Sequence, residues 1–141
     1  MKKAYLFVWL AAVSCARPSV APAPLRPLTL ESCVEILLTD PENPRAREIF
    51  PVLLQQADDR TMATMKESHN TGDAMMRHNY PSHLWIHPFL KGCHWLKEGD
   101  RKAADGEFEA ARAAALGDTS RLATVVAQQA RLHLDELRPR R

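Results

Sequence analysis

The chain has 141 residues, enough for one compact domain with its own core and too few for two. Hydrophobic residues make up 45% and charged ones 26%, a globular balance that excludes a disordered polypeptide. A formal charge of +2 excludes the strongly basic surface that nucleic acid requires, and five glycines against ten prolines argue against a turn-rich all-β chain.

Lys2 and Lys3 are followed by a short apolar run, residues 4–13, and then by Ser14-Cys15-Ala16. A membrane-spanning helix needs roughly 20 apolar residues, so this pattern reads as a secretory leader. Small residues running up to Cys15 resemble the lipobox of bacterial lipoproteins, in which the cysteine is diacylated and becomes the new N-terminus. Ala12 stands where leucine is commoner, and cleavage after Ala16 by an ordinary secretory peptidase is the alternative. The lipoprotein resemblance implies a signal peptide over residues 1–14, an acyl (palmitate-type) anchor on Cys15, and a periplasmic domain. Ala16, in place of a retaining aspartate, points to the outer membrane. Two or three acyl chains make a durable anchor. Loss of Lys2 and Lys3 leaves the mature charge near zero.

Pro18, Pro22, Pro24 and Pro27 punctuate the next stretch, so residues 15–28 are expected to form a semi-rigid, extended tether. The folded domain is expected over residues 29–141. Thr29 is a suitable N-cap for a first helix that stops at Asp40-Pro41. Asn43-Pro44 is a second start signal, and Ile49, Phe50, Leu53, Leu54, Ala57, Met62 and Met65 follow at helical spacing. Pro51 falls inside that run and predicts a kink or break, with the main helix over 51–66. Residues 69–81 read as a loop with one helical turn at 73–77.

Pro88 can open a helix over 88–98 that Gly99 ends, and further helices are expected over 101–116 and 119–137. No stretch alternates, so the expected fold is all-α, with about five helices in antiparallel pairs.

One spacing in this half is distinctive. Gly92, Trp95, Gly99, Ala104, Phe108, Ala111 and Leu116 recur at steps of small and aromatic residues that resemble one tetratricopeptide repeat over 85–118. Gly92 and Ala104 lack bulk and let two helices approach, while Trp95 and Phe108 fill the space beside them. Pro88, Lys91 and Leu116 depart from the family pattern, and a generic helical hairpin remains the alternative. A single repeat cannot bury its own face, so the preceding helices must cover it.

The resemblance implies a protein-interaction adaptor or assembly factor of the envelope, with Ile86, Phe89, Cys93, Leu96 and Lys97 on its groove-lining helix. With Cys15 acylated, Cys33 and Cys93 remain in an oxidising compartment and are expected to pair. That bond would lay the first helix across the groove and leave Trp85, Phe89, Lys97 and Arg101 as the open contact surface.

His83, His87 and His94 offer a second reading, a periplasmic metal- or small-ligand-binding protein. No CxxC, HExxH, phosphate loop or nucleophile elbow accompanies them, so neither a catalytic residue nor a cofactor is expected. The expected partners are a membrane, through the anchor, and an envelope protein, with neither nucleic acid nor a small-molecule substrate.

Overall fold

The computed structural model describes residue 23, residues 25–68 and residues 72–139. The expected signal peptide, Cys15, most of the expected tether, His69 and the last two arginines lie outside the described residues. Within them the chain forms six helices and no strand: α1 (Leu30–Thr39), α2 (Pro44–Glu67), α3 (Asp73–Asn79), α4 (His83–Glu98), α5 (Arg101–Ala115) and α6 (Arg121–Leu137). None of these helices is long and apolar enough to cross a membrane.

The helix ends follow their capping chemistry. Thr29 and Ser32 form a reciprocal capping box at α1, and Asn43 accepts from the Ala46 N–H with Pro44 at the first position of α2. Asp100 and Ser120 cap α5 and α6. Gly99 ends α4 in the left-handed region at φ 81°. There the Asp100 N–H reaches back to the Trp95 carbonyl at 3.0 Å and the Gly99 N–H to that of Leu96 at 3.2 Å. This six-to-one closure needs a residue without a Cβ penalty at Gly99.

Two prolines behave differently from the sequence expectation. α2 runs unbroken through Pro51, and α4 begins five residues ahead of Pro88 and continues through it. Each ring deletes one backbone hydrogen bond, but buried neighbours hold the helix on both sides. Phe50 and Leu54 flank Pro51, while Trp85, Ile86 and Phe89 flank Pro88, and all five are buried. Tertiary packing outweighs the local penalty.

The core is organised around α5, which packs between α4 and α6; α1 joins α2 to α6, and α2 lies against α4. Four rings, one from each of α2, α4, α5 and α6, stack through the centre. Phe50 meets Phe89 edge-on at 5.8 Å, Phe89 meets Phe108 edge-on at 5.7 Å, and His133 stacks on Phe108 at 4.6 Å. Such edge-on pairs add stabilisation beyond the area they bury. Gln129, fully buried on α6, accepts from Arg47 at 3.2 Å and donates to the Pro41 carbonyl at 2.8 Å. These bonds tie the α1–α2 turn and the start of α2 to α6.

Candidate functional site

Helical periodicity places His83, His87, Leu90 and His94 on one face of α4. Opposite them, α2 presents Gln55, Asp58 and Met62, and the two helices enclose an open hollow of about 500 Å³. A second hollow of about 240 Å³ adjoins it at His83, bounded by Met76, Arg77, Tyr80 and Leu84. A third, about 320 Å³, adjoins it at Gln55, Leu90 and His94 and runs past Val52, Cys93 and Lys97. The first and third form a groove between α2 and α4, and the second extends it past His83 toward α3.

Asp58 lies at its floor, only 6% exposed. The Tyr80 hydroxyl donates to Asp58 Oδ1 at 2.8 Å. His83 Nδ1 is 3.7 Å from the same oxygen, within reach of the charge but beyond a hydrogen bond. Burial, then the Asp58 hydrogen bond and charge, push the Tyr80 phenol well above its ordinary range, so it remains a proton donor at neutral pH. His87 stacks on His83 at 4.9 Å. Burial foremost, then the charges of His83 and Lys91, hold His87 below the usual imidazole range, against the pull of Asp58 and Glu107.

The three histidines read from the sequence do share one groove, but they do not share one centre. Eleven residues separate His83 from His94, about 16 Å of helix, too long for a single ion. Among the described residues no three His, Cys, Asp or Glu side chains are grouped to hold a metal.

Of the expected contact residues, Trp85 and Phe89 face inward instead. Trp85 is 3% exposed and its indole N–H donates to Asp118 at 3.3 Å; Phe89 is fully buried between Phe50 and Phe108. Phe50 of α2 lies against Phe89, and the α5–α6 turn meets Trp85 through Asp118. Arg101 donates to the Glu136 and Leu137 carbonyls at 3.4 and 3.1 Å, capping the end of α6. Lys97 is exposed at one end of the groove.

Cys33 and Cys93 are free thiols rather than a disulfide. Cys33 donates to the Ala46 carbonyl at the start of α2, at 3.3 Å, while Cys93 lies beside Pro51, Val52, Gln55 and Gln56 farther along that helix. α2 therefore engages the two sulfurs at different levels. Burial raises Cys33 and pushes Cys93 up to about 12, so neither is a thiolate at neutral pH.

Gly92, Ala104, Phe108 and Ala111 are buried at the α4–α5 contact, Trp95 is half-buried beside His94, and Gly99 serves as the cap.

Asp58 and Tyr80 were missed by the sequence reading, which gave Asp58 no role and put Tyr80 in a loop. A signal for Asp58 exists: Ala46, Phe50, Leu54 and Asp58 recur every four residues, and all are buried. No family model, curated protein or solved structure matches the chain.

Proposed function

We propose that this chain is a bacterial envelope lipoprotein, anchored through Cys15 in the outer membrane and facing the periplasm, whose helical domain holds a partner protein. The α2–α4 groove is the observation that carries this reading. It is open along its length, and half-buried or exposed apolar side chains (Val52, Met62, Leu84 and Leu90) alternate in it with polar ones. Such a trough suits a polypeptide segment whose side chains insert between two helices. The close α4–α5 hairpin supports the likeness to a tetratricopeptide repeat, and α6 and α2, packed on it, explain how one such unit is covered. Thiols held neutral and a phenol held protonated favour holding over nucleophilic catalysis.

A photo-crosslinking residue at Gln55, in cells expressing the full chain, tests the groove against the same residue at Lys102 on α5. A discrete protein adduct is expected from Gln55 and not from Lys102. No adduct from Gln55, or equal adducts from both, overturns the reading. For the anchor, Cys15→Ser is expected to release the protein from membranes or stall its processing; a normally processed, membrane-bound variant overturns it.

A further inference from the structure

We propose that the segment held in the α2–α4 groove is an acidic polypeptide; this rests on the protein-holding reading above and specifies the chemistry of its partner. Charge in the groove is one-sided. Its lining carries three cationic side chains, Arg77, Lys91 and Lys97. Against these stands one carboxylate in the lining, Asp58, which is buried and already engaged by the Tyr80 hydroxyl. Lys91 leans outward to Glu107 of α5 at 3.0 Å. Neither Arg77 nor Lys97 has a carboxylate partner among the described residues.

The cations bracket the groove: Arg77 borders the hollow at the start of α4, and Lys97 lies in its last turn. From His83 to Lys97 is about 21 Å of helix, the reach of about six extended residues. Exposed Leu84 near one end and Val52 near the other offer apolar contacts to the same segment. An acidic stretch carrying at least two apolar side chains matches both features. An anionic lipid surface would meet the cations as a flat plane and leave the groove between the helices unfilled.

Fluorescence anisotropy with the folded chain and a labelled twelve-residue Glu/Leu peptide tests this, beside the same peptide with every Glu replaced by Gln. The acidic peptide is expected to bind and to weaken as salt rises from about 0.05 M to about 0.5 M. The doubly substituted Arg77→Glu, Lys97→Glu chain, checked for an unchanged unfolding midpoint, is expected to bind it about tenfold more weakly. Lys102→Glu on α5 is the control and is expected to leave binding unchanged. Equal binding of the Gln peptide, equal loss from Lys102→Glu, or sedimentation with phosphatidylglycerol vesicles in place of peptide binding each overturns the proposal. Sequencing the segment crosslinked to Gln55 separates the two levels: a neutral or basic segment overturns the acidic specificity alone, whereas no adduct overturns the holding function.

Discussion

A methyl group built at Gly92 would lie 2.8 Å from two ring carbons of Phe108. The ring is fully buried, pinned edge-on by Phe89 and face-on by His133, so it has no free direction in which to yield. Gly92→Ala is therefore expected to destabilise the fold. Overpacking costs about 1–3 kcal/mol, and the gain of about 1 kcal/mol in helix propensity offsets only part of it. Gly106, exposed on α5 with nothing within 4 Å of an added methyl, should respond oppositely. Gly106→Ala is expected to stabilise by up to about 1 kcal/mol. Urea unfolding of both variants checks the pair, and shifts of the same sign would contradict the packing described.

Phe89 is the hub of the ring stack, touching Phe50 and Phe108 with no exposed surface. Phe89→Ala should cost about 3–5 kcal/mol through lost burial and the cavity left behind. A variant with near-wild-type unfolding would mean that Phe89 is the surface residue the repeat resemblance suggests.

The all-α class and most helix ends were legible in the sequence because capping is local: Thr29, Asn43 and Gly99 each act within a few residues. The Gly92–Phe108 approach was legible too, since glycine and phenylalanine stand at fixed steps along the hairpin. Continuity of α2 and α4 through Pro51 and Pro88 was not, because contacts with other helices decide it. The inward orientation of Trp85 and Phe89 was hidden for the same reason. An apolar helix face does not say whether a partner or another part of the same chain covers it. Cys33 and Cys93 suggested a staple by number and compartment, but their pairing depends on where α2 lies, and local sequence does not encode that.

The Tyr80 hydroxyl donates to buried Asp58 and joins the segment around α3 and α4 to α2. Tyr80→Phe retains the ring and removes the only hydrogen-bond donor to Asp58 identified among the described residues. Leaving that acceptor unsatisfied is expected to cost about 1–3 kcal/mol. Hydrogen exchange in α3 and the start of α4 should accelerate more than in α5 and α6, because the lost contact is local. Uniform acceleration across all helices would mean that the bond does not anchor this end of the groove.

Acid sensitivity near neutrality is expected to come from imidazoles. Burial against Phe108 and Phe89, reinforced by Arg47, holds His133 below its ordinary range, although Glu136, 3.5 Å from Nδ1, pulls it upward. His87 is lowered as well, chiefly by burial. As pH falls through the ordinary histidine value of about 6.5, the unfolded chain takes up protons that the folded chain resists, so the folded state loses stability. The loss continues until the folded imidazoles are protonated too. Asp105, Glu109, Asp118 and Glu136 are held below their ordinary ranges, and their contributions begin to fade only in the carboxylate range, below about pH 4.5. The urea midpoint should therefore fall between about pH 7.5 and about pH 5.5 in the wild type. His133→Gln removes the more deeply buried of the two imidazoles. That variant should be less stable at high pH, through its lost ring stack, yet show a flatter profile across the same interval. An unchanged slope in His133→Gln would transfer the effect to His87, and a wild-type midpoint that rises on acidification would refute the lowered imidazoles altogether.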